Sequence, residues 1–291
     1  MDVSIILVNY NTKELTSACI NSIYQHTSGI DFEVILVDNA SKDGSKEVFS
    51  NMPGIRYIYN DANLGFGAAN NVGARVATGK YLFILNSDTL LLDNSIKKIY
   101  DYMEAHTEYA YCGVNLVNGE HKNVAVGGQF PTLASEFYAI GFYKMCRKYH
   151  KKHIAICQTA DDIEDNTLDY IIGADIFIRT EAFRQTGGFD ESFFMYYEET
   201  DLCKRLAKAG HKPAFLPDIT IVHLVGQSTG GAQVSLNKYR MINTSKMHYY
   251  KKHHSLLYRF LVRLCEFTKI VIRPYYYKKD YFALLADAFT I

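Results

Sequence analysis

Short apolar segments alternate with segments of helical spacing over the first ninety residues. Four runs rich in Val, Ile, Leu and Tyr end in polar residues: VSIILVNY, FEVILVDN, IRYIYN and KYLFILNSD. Runs that are apolar on both faces are typical of buried, largely parallel strands. The segments between them have helical spacing: ELTSACINSIYQHT, SKEVFSNM and GAANNVGARVATG. This alternation predicts a doubly wound α/β sheet, in which ligands bind at the carboxyl ends of the strands.

The pattern becomes more mixed between residues 101 and 235. A basic segment and an acidic segment, FYKMCRKYHKKH and DDIEDNTLD, together indicate a solvent-exposed insertion on the protein surface. Strand character returns in DYIIGADIFI and AFLPDITIVHL, and two helices are predicted at RTEAFRQTGG and EETDLCKRLAKAG. The second helix should end at Gly210.

The last predicted helix is amphipathic. Its apolar face in SLLYRFLVRLCEFTKIVI is formed by Leu257, Phe260, Leu261, Leu264, Thr268, Val271 and Ile272. Arg259, Arg263 and Lys269 flank this face, and the basic segment RPYYYKK follows. Such a helix suits an anionic membrane surface. The alternative is a helix that packs on the body of the protein or on a partner subunit.

Charge is distributed unevenly along the 291 residues. The formal net charge is +0, yet residues 238–279 hold eleven Lys or Arg and the single acid Glu266, a local balance of +10. The remainder of the chain is therefore acidic. The content of 48% hydrophobic and 21% charged residues is that of a globular protein and excludes general disorder.

Cysteine spacing and the N-terminal segment bear on the compartment. The six cysteines are scattered without a CxxC pair, which argues against a disulfide framework or a zinc site and for reduced thiols. MDVSIILVNYN has no basic region ahead of its apolar run, so we do not interpret it as a signal peptide. No run of 18 apolar residues occurs, and we therefore expect a cytoplasmic protein without a spanning helix.

Six segments resemble the family 2 glycosyltransferases in sequence and in order. They are SIILVNYN, VILVDNASKDGS, NLGFGAANN, FILNSDTLL, GGFDESFFMYYEETDLCKRL and HLVGQST. The bacterial rhamnosyltransferase-like members are the most similar variant, over roughly residues 3 to 230. The resemblance implies a GT-A fold, a Rossmann-like doubly wound mixed sheet, together with a nucleotide-sugar donor and inversion at the anomeric carbon.

The nucleotide site implied by the resemblance lies at the first strand ends. Asp38 would accept the N3–H of uracil or thymine, which favours UDP or dTDP donors, although DNASKDG is also good turn chemistry. Val8 and Tyr10 would form the wall against the base. The remaining nucleotide-binding candidates are Asn63, Gly65, Asn70 and Ser87. The glycines of NLGFGAANN would let the backbone approach the nucleotide, and many relatives have Arg in place of Asn70.

NSD departs from the family pattern of two aspartates that bind the diphosphate through Mg²⁺ or Mn²⁺. Asn86 replaces the first of them, which leaves Asp88 as the one anionic ligand. Hard cations keep several waters, so one carboxylate plus diphosphate oxygens can suffice. His223 matches a position where relatives supply a further ligand, and its alternative is a structural histidine.

The acidic cluster in YYEETDLCKR is the candidate catalytic centre. Acids in the first turn of a helix complement its dipole, which accounts for Asp201 more readily than for Glu198 and Glu199. Glu199 matches the position of the family's general base. We assign Glu198 as an orienting or acceptor contact. Asp201 is assigned to support of the helix terminus and is the second candidate for the base.

These expectations combine into one functional hypothesis. Residues 1–100 form the nucleotide-sugar-binding half of a GT-A domain, 101–235 its acceptor-binding and catalytic half, and 236–291 a basic amphipathic helical tail. The protein would transfer rhamnose or a hexose from a dTDP- or UDP-sugar to a cell-surface glycan or lipid-linked acceptor, at the inner face of the plasma membrane, with residues 238–279 on the anionic surface. It would not bind nucleic acid.

Two alternatives remain weaker. A sugar-nucleotide pyrophosphorylase would carry a Gly-rich loop where this chain has VNYNTKELT. A catalytically degenerate, glycan-binding or scaffolding relative is favoured only by Asn86. The presence of Asp88, Glu199 and His223 together argues against it.

Overall fold

An eight-stranded mixed sheet forms the framework of the protein. The computed structural model describes residues 1–141, 157–163, 168–224, 236–272 and 284. The strand order of the large sheet is β3-β2-β1-β4-β10-β6-β11-β5, and a small second sheet has the order β8-β7-β9. The strands are β1 (Val3–Asn9), β2 (Phe32–Asp38), β3 (Ile55–Tyr59), β4 (Tyr81–Asn86), β5 (Thr89–Leu91), β6 (Tyr109–Val117), β7 (Ala125–Gly128), β8 (Gln158–Thr159), β9 (Tyr170–Ile171), β10 (Asp175–Arg179) and β11 (Lys212–His223).

Nine α-helices are described around these sheets. They are α1 (Lys13–His26), α2 (Ser45–Phe49), α3 (Phe66–Val76), α4 (Ser95–Ala105), α5 (Leu133–Ile140), α6 (Thr180–Gln185), α7 (Glu198–Lys208), α8 (Leu236–His253) and α9 (Leu256–Ile272). The basic segment FYKMCRKYHKKH and part of DDIEDNTLD lie outside the described residues, as do residues 225–235, which include the end of HLVGQST.

The first four strands follow the pattern expected from the sequence. β1 pairs in parallel with both β2 and β4, and β2 pairs in parallel with β3. β1, β2 and β4 are buried along most of their length, because helices cover what would otherwise be exposed apolar faces. Helix α3 packs on β1 and β2. Gly73 permits this approach, since a Cβ there would lie 2.6 Å from Cγ2 of Ile6. The predicted doubly wound α/β sheet with a C-terminal helical extension is confirmed.

The second half of the sheet is mixed in direction. β10 runs antiparallel to both β4 and β6, whereas β6 and β11 are parallel and β5 is antiparallel to β11. The prediction of one strand across DYIIGADIFI was wrong. Its first part pairs with β7 in the small sheet and its second part enters the large sheet. The chain changes sheets at Gly173–Ala174, where a Cβ on the glycine would press on the ring of Phe66 at 3.1 Å.

The C-terminal helices are joined to the body of the protein by buried charges. Lys246 lies between Glu136 of α5 and Glu266 of α9, and Lys269 also binds Glu266. Helix α9 packs on α5, where the buried Val262 shares an apolar cluster with Leu133. The local balance of +10 therefore overstates the free positive charge, because several cations of α8 and α9 are paired internally.

The face of α9 that the sequence marks as apolar points to solvent. Its exposed side chains are Leu257 (68%), Phe260 (59%), Leu264 (45%), Val271 (41%) and Ile272 (50%), with Leu256 (75%) beside them. The alternative of a helix that packs on the body of the protein is thus what the structure shows for the opposite face of α9, which lies on α5. In the part of the chain that the structure describes, no helix has the length and apolarity needed to cross a bilayer.

Candidate active site

Polar residues follow the ends of three neighbouring parallel strands. The register places Asn9 of β1 opposite Asp38 of β2, and Val8 opposite Asn86 of β4. The carboxyl ends of these strands therefore meet at one edge of the sheet, which is where ligands bind in folds of this type. Val8 is half-buried at this edge and Tyr10 is 47% exposed. The predicted nucleotide residues of β1 and β2 are thus brought together.

Asp38 is fully buried and already makes two hydrogen bonds within the protein. Its Oδ1 accepts the backbone N–H of Ser41 at 2.8 Å, and its Oδ2 accepts the hydroxyl of Tyr57 at 3.0 Å. Burial and the Asp38 charge raise the pKa of Tyr57, so that hydroxyl remains a donor. The turn chemistry expected from DNASKDG is therefore present. A nucleobase would have to use the remaining lone pairs of the carboxylate.

Asn63 and Gly65 form the turn that leads into α3. Oδ1 of Asn63 accepts hydrogen bonds from Nδ2 of Asn39 and from the backbone N–H of Gly65. Gly65 has φ +85°, and a Cβ at this position would collide with the carbonyl oxygen of Phe194. The close backbone approach expected at this glycine is made here to Phe194, whose carbonyl accepts the N–H of Phe66.

Two buried polar atoms on facing helices have no hydrogen-bond partner. Asn70 of α3 donates to the carbonyl of Phe66, but its Oδ1 is unpaired. Oε2 of Glu198 at the start of α7 is also unpaired. Helices α3 and α7 are in contact, and a Cβ at Gly67 would lie 3.5 Å from Cβ of Glu198. Unpaired buried polar atoms are uncommon in folded proteins, so both are candidates for ligand contacts.

Asp88 and His223 are 135 positions apart in sequence but adjacent in the structure. β11 runs antiparallel to β5 with His223 opposite Thr89, and this register places Nε2 of His223 3.3 Å from Oδ1 of Asp88. Nδ2 of Asn86 lies 3.4 Å from the same nitrogen. Ser87, between them, has its hydroxyl 3.3 Å from that of Thr12. The structure thus joins both metal candidates at the end of β4.

The donor atoms at this point fit a divalent cation in part. Asp88 and His223 are both buried, and Nδ1 of His223 has no hydrogen-bond partner. A carboxylate and an imidazole together suit Mn²⁺ better than Mg²⁺, which prefers oxygen ligands alone. Among the residues described, no group of three or more His, Cys, Asp or Glu side chains forms a complete metal cage. A cation here would need further ligands from a diphosphate and from water.

Glu199 lies in the first turn of α7, where burial changes its acidity. The side chain is half-buried, and burial raises the pKa of Glu199 to about 7. Burial and the charge of Glu199 raise the pKa of Glu198 well above its usual value. Both carboxyl groups are therefore weaker acids than an ordinary glutamate, and the pKa of Glu199 lies in the range that suits a general base.

Gly173 and Ala174 connect the two halves of the candidate site. A Cβ at Gly173 would lie 3.9 Å from Cβ of Glu199. The carbonyl of Ala174 accepts the backbone N–H of Asn86 at 3.0 Å. The start of α7 and the end of β4 therefore contact the same dipeptide, and Glu199 belongs to the same edge of the sheet as Asp88.

Asp201 has a different environment from the two glutamates before it. It is fully buried and bonded to Arg205, Lys252 and His253 at 2.8–3.0 Å. Burial opposes its ionisation, but the hydrogen bonds from His253 and Lys252 and the charge of Arg205 prevail and hold the pKa of Asp201 below its usual value. This arrangement supports a structural role at the helix terminus. It gives no support to Asp201 as the base.

Sequence reasoning did not identify the α8 residues that contact this region. Ser245, Tyr249, Lys252 and His253 all touch the segment that runs from Met195 to Asp201. They are about 50 residues away in sequence, and no local pattern specifies such a pairing. The helical spacing of four polar or aromatic residues on one face was the only available signal.

The sheet topology is that of the GT-A glycosyltransferase fold. The chain belongs to glycosyl transferase family 2, whose family model matches residues 4–185.

Three relatives illustrate the similarity. The low-salt glycan biosynthesis hexosyltransferase Agl10 of Haloferax volcanii is 28% identical over 210 residues, 70% of this chain and 61% of that protein. The N-acetylglucosaminyl-diphospho-decaprenol L-rhamnosyltransferase of Mycobacterium tuberculosis is 26% identical over 212 residues, 68% of each chain. Rhamnosyltransferase WbbL of Escherichia coli K12 is 26% identical over 233 residues, 76% of this chain and 83% of WbbL.

Solved structures agree on the fold. The mannosyltransferase PcManGT from Pyrobaculum calidifontis, in complex with GDP-Man and Mn²⁺, superposes with a TM-score of 0.55 at 17% identity, over 98% of this chain and 72% of that one. GalNAc-T7 with UDP, GalNAc and Mn²⁺ gives a TM-score of 0.57 at 15% identity, over 86% of this chain and 50% of that one. At these identities the likeness concerns the fold alone.

Proposed function

We propose that this protein is an inverting glycosyltransferase that uses a UDP- or dTDP-sugar and has Glu199 as its general base. The observation that carries the proposal is the acidic pair at the start of α7. Burial raises the pKa of Glu199 to about 7, and burial together with the charge of Glu199 also raises the pKa of the neighbouring Glu198. A carboxylate with this acidity accepts a proton from an acceptor hydroxyl more readily than an ordinary glutamate.

The chemical step follows from single displacement at the anomeric carbon. The acceptor oxygen forms a bond to that carbon while the bond to the diphosphate oxygen breaks on the opposite face. The hydroxyl proton moves to the Glu199 carboxylate, and the nucleoside diphosphate leaves with the electron pair. Glu198 would form a hydrogen bond that orients the acceptor, and the raised pKa of its carboxyl group reduces its repulsion of Glu199.

Asp88 and His223 are the residues that would hold a divalent cation. Nε2 of His223 lies 3.3 Å from Oδ1 of Asp88, and this imidazole nitrogen and carboxylate are the donor types that Mn²⁺ accepts. A cation there would neutralise charge on the diphosphate of the donor. Two structural neighbours contain Mn²⁺, which supports the same proposal. Asn86 contributes an amide in place of a second carboxylate.

A lipid-linked or cell-surface glycan is the proposed acceptor. The mycobacterial relative is named for a diphospho-decaprenol acceptor, and both bacterial relatives are rhamnosyltransferases. The exposed apolar face of α9 would place the protein on the membrane that carries such an acceptor, on its cytoplasmic side. Lys251 is exposed next to that helix, whereas Lys246, Lys252 and Lys269 are already paired. Apolar contact would therefore contribute more than charge to this binding.

Substitution of Glu199 tests the proposal most directly. In Glu199→Gln we expect turnover to fall by roughly 10²–10⁴-fold, since the amide cannot accept the proton, while affinity for the nucleotide sugar stays within about twofold. The assay measures nucleoside diphosphate released from UDP- and dTDP-sugars, with lipid-linked N-acetylglucosamine diphosphate as acceptor. For the wild type, kcat should decline as the pH falls below about 7, because Glu199 becomes protonated.

Glu198→Gln is the matched control. Glutamine keeps the size of the Glu198 side chain and can still form hydrogen bonds, and no proton transfer is assigned to Glu198, so turnover should fall by less than about tenfold. Normal turnover in Glu199→Gln would exclude this residue as the base. Binding of the nucleotide sugar without transfer, in the wild type and with every acceptor tried, would favour the glycan-binding alternative.

A further inference from the structure

The residues immediately before the acidic pair have an unfavourable backbone conformation. Tyr196 and Tyr197 have φ angles of +70° and +68°, in the left-handed region. For a bulky residue this conformation is unfavourable and persists only where the surroundings impose it. Tyr197 is also the N-cap of α7, so its dihedral angles set the direction in which Glu198 and Glu199 leave the loop.

Helix α8 contacts this segment before and at the strained residues. The hydroxyl of Ser245 donates to the carbonyl of Met195 at 2.8 Å. The ring of Tyr249 packs on the ring of Tyr197, with centroids 5.7 Å apart. Both contacts come from one face of α8, because the two residues are four positions apart.

The same helix also contacts the segment after the strained residues. Lys252 and His253 hydrogen-bond to the fully buried Asp201, and Lys252 bridges to Asp190 at 2.6 Å. The backbone N–H of Asp201 in turn donates to the carbonyl of Tyr197 at 2.8 Å. Contacts from α8 therefore enclose the pair of tyrosines on both sides.

We propose that α8 is a positioning element of the active site, which holds Tyr196 and Tyr197 in the left-handed conformation and so sets the orientation of Glu199. This inference rests on the proposed role of Glu199. Ser245, Tyr249 and His253 are its positioning residues, since none of them is adjacent to Glu199 in sequence and each acts through the segment from Met195 to Asp201.

The energetics favour a geometric role for these contacts over a purely stabilising one. A buried ion pair contributes little net stability, because desolvation of the charges offsets most of their attraction. Its hydrogen bonds nevertheless require a defined arrangement of both partners. A displacement of about 1 Å at a catalytic group can lower the rate about 10²-fold. Small changes in α8 should consequently affect kcat more than they affect folding.

Ser245→Ala in the full-length protein tests this inference. We expect kcat to fall about tenfold while KM for the donor changes less than about twofold. The acid limb of the kcat profile should move to lower pH, because a Glu199 that leaves its buried position regains an ordinary acidity. Hydrogen exchange at the amides of residues 196–201 should accelerate. Ser17→Ala is the control, since its hydroxyl also donates to a backbone carbonyl, that of Lys13, and it should change none of these quantities.

A second pair of variants separates positioning from folding. His253→Ala should shift the acid limb of the kcat profile to lower pH, as Ser245→Ala does. His253→Gln should keep the limb at its wild-type position, because the glutamine amide can donate to Asp201 in place of Nε2. A loss of kcat with an unmoved acid limb and unchanged hydrogen exchange would overturn the inference. Normal turnover in Glu199→Gln would instead refute the base, and hydrogen exchange would still report whether α8 holds the segment.

Discussion

The edge formed by β1, β2 and β4 and the junction between α7 and α8 are built in different ways. At the strand ends, Asp38 bonds to Ser41 and Tyr57, and Asn63 bonds to Asn39 and Gly65, so the turns are held by residues of the first three strands and their loops. At the junction, Asp201 is held by Lys252 and His253 from about 50 positions away. The first region can form as soon as its strands pair. The second requires the C-terminal helices in place.

This difference in construction suggests that the two regions have separate roles in the proposed reaction. In that reaction the strand edge would bind the nucleotide. The junction would set the position of the proposed base, and it joins α7 to the C-terminal helices. Perturbing the two regions separately should therefore give distinct effects, on donor binding in one case and on stability and turnover in the other.

The largest effect is expected at the centre of the junction. Asp201→Ala leaves Arg205, Lys252 and His253 without their shared partner, and loss of one member of a buried charged cluster costs about 3 kcal/mol of unfolding free energy or more. Denaturant unfolding measures it. Glu14→Ala is the matched control, because Glu14 belongs to an exposed pair with Lys13 and its loss should cost under about 1 kcal/mol. An equal loss of unfolding free energy in both variants would show that the buried charges at the junction contribute no more to stability than an exposed ion pair.

A smaller effect is expected at the end of β4, and it should depend on metal. Asp88→Ala should weaken binding of a UDP- or dTDP-sugar by roughly 10–100-fold in Mn²⁺ and leave binding in chelator unchanged. Isothermal titration with and without Mn²⁺ measures the difference. An equal loss in both conditions would show that Asp88 supports the strand edge structurally and is not a metal ligand.

The smallest effect is expected on the exposed face of α9. Phe260→Ser should reduce cosedimentation with phosphatidylglycerol vesicles several-fold, since one large apolar side chain contributes about 1.5–3 kcal/mol on full burial and less at an interface. The unfolding free energy should stay within about 0.5 kcal/mol, because the side chain is exposed in the protein. Leu92→Ser is the matched control, because Leu92 is also an exposed apolar side chain but lies outside α9, and vesicle binding should not change. Unchanged vesicle binding in Phe260→Ser would argue against membrane contact and favour the alternative that this face of α9 packs on a partner subunit.

Prediction from the sequence succeeded where local pattern and tertiary contact agree. The four apolar runs became β1 to β4 because buried parallel strands are apolar on both faces. EETDLCKRLAKAG became α7 because its leucines and cysteine repeat at helical spacing. DYIIGADIFI failed as one strand, since the apolar run continues through Gly173 while the chain changes sheets there.

The candidate site residues were likewise chosen from local patterns in the sequence. Asp88, Glu199 and His223 could be chosen from short motifs, and the pairing of Asp88 with His223 was compatible with their assigned role. The interpretation of the tail was less complete. A count of Lys and Arg cannot show that Lys246 and Lys252 are paired with buried acids, because those acids lie far away in sequence.

The sequence by itself determined the first four strands, helix α7, the family and the candidate site residues, because these depend on local periodicity and on short motifs. Only the tertiary structure decided which two of three neighbouring acids have raised pKa values and which one is paired with cations. Burial and charge pairing depend on contacts across the whole chain. Glu199 and Asp201 are two positions apart, yet burial raises the pKa of Glu199, whereas Asp201 bonds to Arg205 and to residues of α8.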